Sequence, residues 1–213
     1  MVKKSYYREI KLVLTSLFFV FLLSGCANTS FKISKEAQNI TIEPHDKVLL
    51  VVTSIDYDFA KLVRDYVYDG FQKKNFNILN YSDVLPAISI NKDADNVSDF
   101  CKNNDIKYII KLENCTCVKA TGYMPPSQKL ETYTYYSNGK LQTGTRNVSV
   151  PGYYYTYLQA YLLVNIVDVE TEKTLVKVQV TTTGSMSAVE SHVAKSMSKK
   201  IVNKIVRMVR GEK

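Results

Sequence analysis

Lys47-Val48-Leu49-Leu50-Val51-Val52-Thr53-Ser54 is a short, nearly continuous apolar run rich in valine. A strand with one wet face alternates apolar and polar residues, so a run without alternation predicts a central strand covered on both faces. Beyond Asp56, which can cap, Phe59, Leu62, Val63, Tyr66, Val67 and Phe71 recur at helical spacing, with Lys61, Arg64, Asp65 and Asp69 on the outer side. That is an amphipathic helix packed on the sheet. Phe76 to Tyr81 alternates as a second strand, followed by a helical turn interrupted by Pro86 and a second helix over about Ala94 to Asn103 that turns Val97, Phe100 and Cys101 inward. Ile106, Tyr108, Ile110 and Leu112 then alternate with Lys107, Ile109, Lys111 and Glu113 in a third strand.

Further on, Leu158 to Val169 is strongly apolar, and Asp168-Val-Glu-Thr-Glu-Lys173 supplies the turn into Thr174 to Thr183, an expected antiparallel hairpin. Ser187-Ala-Val-Glu190 has the spacing of a capping box, and Val189, Val193, Met197, Ile201, Ile205 and Met208 form one stripe of a last helix. Lys195, Lys199, Lys200, Lys204, Arg207, Arg210 and Lys213 lie mostly off that stripe. They can face anionic lipid or polymer, but cations favoured near a helix C-terminus and solvating its outer face are the preferred reading. The fold class expected is α/β (α+β): a mixed β-sheet flanked by helices, with a projecting Tyr-rich β-hairpin and a C-terminal amphipathic helix.

The hairpin lies in an insertion from about Lys119 to Tyr157, which holds half of the chain's 16 tyrosines. Leu130 to Tyr136 and Lys140 to Val150 flank Ser137-Asn138-Gly139, and Asn-Gly is a strong hairpin signal because both residues tolerate positive φ. Tyrosine, threonine and glutamine replace Leu and Ile here, so the hairpin has no core of its own. Tyrosine gives rigid contact area with a polar tip, the composition of a surface that binds a protein or glycan partner, and Tyr133, Tyr135, Tyr136, Tyr153, Tyr154 and Tyr155 are the candidate contacts. The competing reading lays the hairpin flat over the sheet, because a lone two-stranded hairpin is marginal in water. Insertion into a membrane is a third reading, against which polar residues on both faces argue.

At the other end of the chain, Lys3, Lys4, Arg8 and Lys11 precede the apolar run Leu12 to Leu23, too short for a confident membrane span of about 20 residues. Leu23-Ser24-Gly25-Cys26 closes that run and resembles the lipobox of bacterial lipoproteins, which implies cleavage before Cys26 and acylation of its thiol. An ordinary cleaved leader with an incidental cysteine, or a short membrane helix, are the alternatives. Basic flank, apolar run, small residues and cysteine in this order favour the lipoprotein. Each acyl CH₂ buried in lipid contributes about 0.8 kcal/mol, so two or three chains hold a protein to the bilayer. The domain plan is therefore a signal peptide over 1–25, a lipid-anchored tether over 26–46 closed by Pro44, and a single globular domain over 47–213.

The leader takes +3 of the formal net charge of +8, and the remaining +5 is modest. With no supporting motif, nucleic acid is not an expected partner; the lipid bilayer, an envelope protein or a glycan is. Cys101, Cys115 and Cys117 are an odd number of thiols for an exported chain, and a Cys115–Cys117 bridge would close a strained loop. A link from Cys101 to either, or three free thiols, both remain open. With His45 and His192 far off in sequence, no metal is expected, and no cofactor. No Gly-rich phosphate loop follows a strand and no G-x-S-x-G elbow occurs, so the chain is not expected to be an enzyme.

The order of elements behind the lipobox resembles the envelope lipoproteins with the fold of the TolB N-terminal domain, the group of CsgG and LpoB. The residues carrying this are Lys47 to Ser54, the helix ending in Gly70-Phe71 before Phe76-Asn-Ile-Leu79, and Leu162-Leu-Val-Asn-Ile-Val-Asp-Val-Glu-Thr-Glu-Lys173. The resemblance implies an accessory in envelope assembly or secretion, with self-assembly into a homo-oligomeric ring as the alternative, and Ala27-Asn28, with no aspartate just after the cysteine, favours the periplasmic side of the outer membrane. A small-ligand-binding or hydrolytic domain is the remaining one. CsgG-type subunits carry two long membrane-spanning hairpins and this chain has one candidate; LpoB-type activators have a long tether and this one is short.

Overall fold

A computed structural model describes residues 27–36, 40–43, 45–84 and 94–210. The expected leader, Cys26, the turn at Pro86 and Lys213 lie outside the described residues. The fold is α+β, as expected. Its strands are β1 (Asn28–Glu36), β2 (Lys47–Thr53), β3 (Asn77–Asn80), β4 (Ile106–Met124), β5 (Ser127–Ser137), β6 (Lys140–Val150), β7 (Tyr153–Asp168) and β8 (Thr174–Thr183). Its helices are α1 (Tyr57–Gln72), the one-turn α2 (Tyr81–Val84), α3 (Ala94–Asn103) and α4 (Glu190–Val209). Six strands form a mixed sheet in the order β1-β8-β7-β4-β2-β3, with β2 parallel to β3 and β4 and the other pairs antiparallel.

Helices α1 and α4 cover one face of the sheet. Asp56 caps α1, its side chain accepting the Phe59 N–H at 3.3 Å, and Phe59, Val63, Val67 and Phe71 are buried. Each such side chain contributes about 1.5–3 kcal/mol on leaving water. Val193, Met197, Ile201 and Ile205 of α4 meet them, and the two helices touch closely at Gly70, where an added methyl would stand 2.9 Å from Val202. The capping box does not form. Helix α4 starts at Glu190 with Val189 at the cap and no side-chain bond, because Ala188 N–H donates instead to Ser185 C=O in a turn before it.

Over the other face, α3 closes a smaller cluster of Leu49, Cys101, Ile106, Ile109 and Val169. Cys115 packs in the main cluster with Cys117 beside it, so the sheet itself separates both from Cys101, and a bridge from Cys101 to either is corrected to three free thiols. Burial pushes Cys101 and Cys117 up to about 11 and Cys115 to about 12, far from thiolate at neutral pH.

The tether through residue 46 is also corrected. Asn28–Glu36 pairs antiparallel with β8, with Phe31 against the core and Thr29 Oγ1 2.9 Å from Thr182 Oγ1. Thr29 and Phe31 thus turn inward while the backbone of β1 satisfies the edge of β8, and Ile40 and Ile42 enter the core. The globular body accordingly begins at β1, and Lys200 Nζ fastens its first described residue by donating to Ala27 C=O at 3.3 Å.

Candidate functional site: a tyrosine-lined ribbon

Strands β4 and β7 continue past the sheet as a two-stranded ribbon. Their pairing runs from Tyr108↔Asp168 to Met124↔Tyr153, and β5 with β6 extends it from Ser127↔Val150 to Ser137↔Lys140. Pro125-Pro126 and Pro151-Gly152 interrupt the ladder between the two stretches, where proline lacks the N–H that pairing needs. Two residues are passed over on each strand, so the register is the same on both sides. At the tip, Asn138 and Gly139 take φ of 52° and 69°, as a two-residue hairpin turn requires. From Lys119 to Ser137 the ribbon is about 60 Å long at the usual rise per residue.

No residue from 119 to 157 is buried, so the hairpin projects and does not lie flat over the sheet. Constant register divides its side chains between two faces, because directly paired residues share a face and neighbours along a strand alternate. One face carries Tyr123 and Tyr154, with ring centroids 4.9 Å apart, and Tyr133 and Tyr135, 5.7 Å apart. Arg146 stands over the Tyr133 ring at 5.7 Å and pairs with Glu131 at 3.2 Å. Lys119, Lys129, Glu131, Lys140 and Arg146, the only charged residues between 119 and 158, all belong to this face.

The opposite face is free of charge. Tyr153, Tyr155 and Tyr157 stack along it at 6.4 and 5.8 Å, and Tyr155 lies over Gly122, where a methyl would come within 2.4 Å of its ring. Leu130, Tyr136 and Leu141 continue this face toward the tip among threonines and Asn147. The six candidate tyrosines are thus split: Tyr133, Tyr135 and Tyr154 on the charged face, Tyr136, Tyr153 and Tyr155 on the other. Period-two alternation over an unbroken register carries this division, and Tyr123 and Tyr157 join the rows for the same reason.

No family model matches the chain, and no curated protein matches it. Among solved structures it is similar to PelC of Paraburkholderia phytofirmans, a dodecamer. A single-substitution variant is 12% identical over 84% of this chain and 95% of that chain with a TM-score of 0.44, and a second crystal form is 10% identical over 83% and 95% with 0.46.

At the root of the ribbon a groove of about 600 Å³ is lined by Leu62, Tyr157, Leu158, Met186, Val189 and Glu190 among others. Its wall is mainly apolar and holds no histidine or cysteine. Among the described residues, no group of three or more His, Cys, Asp or Glu is placed to hold a metal ion. None of the described helices is long and apolar enough to cross a membrane, which leaves strands out of account.

Proposed function

We propose that the protein is a lipid-anchored, non-enzymatic envelope lipoprotein of the kind the TolB-like resemblance implies, docking an envelope partner through its ribbon. The observation that supports this reading is the ribbon itself. It adds no buried side chain to the core, yet its charged face presents Tyr123, Tyr133, Tyr135 and Tyr154 in ordered pairs beside Arg146 and Glu131. Rigid aromatics beside an arginine are what the energetically dominant part of a protein interface is made of. Acylation of Cys26 would hold this surface near its membrane and raise its effective concentration for a second contact.

The test is recovery of the partner by cross-linking in native membranes. The double variant Tyr133→Ala, Tyr135→Ala is expected to lose the cross-linked species that the wild-type chain gives. Equal recovery by a folded double variant overturns the assignment of the ribbon. Self-assembly into a ring is the second reading, favoured by the ladder edges of β5 and β6, which pair with each other alone among the described strands. A large homo-oligomer on sizing in detergent would select it.

A further inference from the structure

We infer that the sheet face turned away from α1 and α4, with the charge-free face of the ribbon that continues it, is a binding track for an acidic polysaccharide. The track lies on the side opposite Arg146 and Glu131 and does not depend on acylation of Cys26.

One face runs unbroken from body to ribbon. Leu158, Ala160, Leu162 and Val164 of β7 enter the core beneath α1 and α4, so Tyr153, Tyr155, Tyr157, Gln159, Tyr161 and Leu163 point the other way. The extra residue that shifts the register between Glu113 and Thr116 belongs to β4, and β7 is regular from Tyr153 to Leu163, where the tyrosine row to Tyr161 spans about 27 Å. On this side α3 closes its cluster over Leu49, Ile106 and Ile109 of β2 and β4. Lys32 of β1 and Lys177 and Gln179 of β8 stay exposed.

The tyrosine rings have small partners across the ladder. Tyr155 lies over Gly122, and Tyr157 is paired with Ala120. Neither partner can cover a ring, so nothing from β4 competes for these two. A sugar ring presents a patch of C–H groups that packs on an aromatic face, and its hydroxyls then meet polar groups at the rim. Here the rim is supplied by the tyrosine hydroxyls, by Gln159 and by Thr183 paired with it.

At the body end the row runs into a groove of about 390 Å³, lined by Lys32, Ser34, Asn114, Tyr161, Lys177 and Gln179 among others. Two bulges flank it. That of β4 holds Asn114 at a φ of 52°, and that of β1 includes Ser34, whose Oγ donates to Lys177 C=O at 3.1 Å. No acidic residue lines the groove, and Glu113 beside Asn114 is engaged by Asn165 Nδ2 at 2.7 Å. Among the described residues neither Lys32 nor Lys177 is in an ion pair.

The arrangement of charge selects the ligand. Single-stranded nucleic acid carries a phosphate at every nucleotide and draws cations along its whole path. This track has its cations at one end and none along Tyr153, Tyr155 and Tyr157. A chain that mixes neutral sugars with carboxylate-bearing ones matches it, the neutral rings on the tyrosines and a carboxylate between Lys32 and Lys177.

Calorimetric titration of the full chain in detergent with oligomers of galacturonate, alginate and hyaluronate, and with neutral dextran, provides the test. At least one acidic polymer is expected to bind more tightly than dextran. Lys32→Gln with Lys177→Gln should remove that preference and flatten its salt dependence. Tyr155→Ala with Tyr157→Ala should weaken the acidic polymer several-fold and leave the salt dependence unchanged. Tyr133→Ala with Tyr135→Ala, on the other face, should bind as the wild type does, which separates the track from the cross-linked partner proposed above. Failure of the wild type to bind any acidic polymer overturns the inference, as does unchanged affinity in either the lysine or the Tyr155 and Tyr157 variant. Equal weakening by Lys129→Gln with Lys140→Gln would show attraction to net charge alone and overturn it too. Tighter binding of oligodeoxythymidylate than of every acidic sugar polymer would assign the face to nucleic acid instead.

Discussion

Asp46 is the buried carboxylate most closely tied to the body. It accepts the Glu43 N–H at 2.9 Å and forms an ion pair with Lys107, whose own side chain is largely exposed. Burial pushes the Asp46 carboxyl up, but the Lys107 ammonium, the Glu43 N–H and the nearby His45 together hold it below its ordinary value. A carboxyl whose pKa is lower folded than unfolded adds stability above the unfolded value of about 3.9, and that contribution disappears as pH falls through the folded value. Asp46→Asn should therefore cost about 1–3 kcal/mol at neutral pH and flatten the loss of stability below about pH 4. Urea midpoints measured from acid to neutral pH check both effects; a variant with the wild-type acid slope would show that the pair contributes nothing. Sequence pattern gave no sign of this pair, since Asp46 stood in what read as a tether. The thiols were misplaced for a related reason: spacing puts Cys101 near Cys115 and Cys117 along the chain but says nothing of which side of a sheet each reaches.

Among the elements, the Tyr155 row offers a direct probe of the ribbon. Gly122 has an ordinary backbone conformation, so Gly122→Ala meets one obstacle, the Tyr155 ring that would lie 2.4 Å from the new methyl. That ring must leave its place between Tyr153 and Tyr157. Because none of the three is buried, the expected result is a weaker near-ultraviolet circular dichroism of tyrosine with a stability change under about 1 kcal/mol. An unaltered spectrum would mean that the row is not ordered in solution. Strong local signals made several elements legible: α1 from Asp56 and its 3.6-residue stripe, α3 at both its bounds, and the ribbon tip from Asn138-Gly139. Strand β1 was missed because only Thr29 and Phe31 mark its inward side, with Ile33 left exposed, too short an alternation to outweigh its polar neighbours. The start of α4 was misread because the Ser185 carbonyl, two residues before the expected cap, captured the turn. The grouping of the tyrosines needed the constant register from Thr116↔Tyr161 to the tip, which composition cannot supply.

At the scale of the whole molecule, core and ribbon answer to different demands. Every buried apolar residue of the main cluster belongs to the segments before Val118 or after Tyr157, and the sheet keeps its order through pairs that end at Leu158 and Gln159. The body should therefore not need the ribbon to fold. Replacing residues 120–157 by a two-residue Asn-Gly turn closes β4 onto β7 with their register intact, and a shorter loop lowers the entropic cost of that closure slightly. The expected outcome is a cooperatively unfolding protein whose stability lies within about 1 kcal/mol of the full chain, since no core contact is lost. Its urea m-value should change little, because the ribbon already exposes most of its surface in the folded state. A shortened chain that fails to fold would show that the tyrosine rows stabilise the body. Retained stability together with loss of the partner cross-link would instead separate the two roles, a self-sufficient body and a ribbon kept for contact.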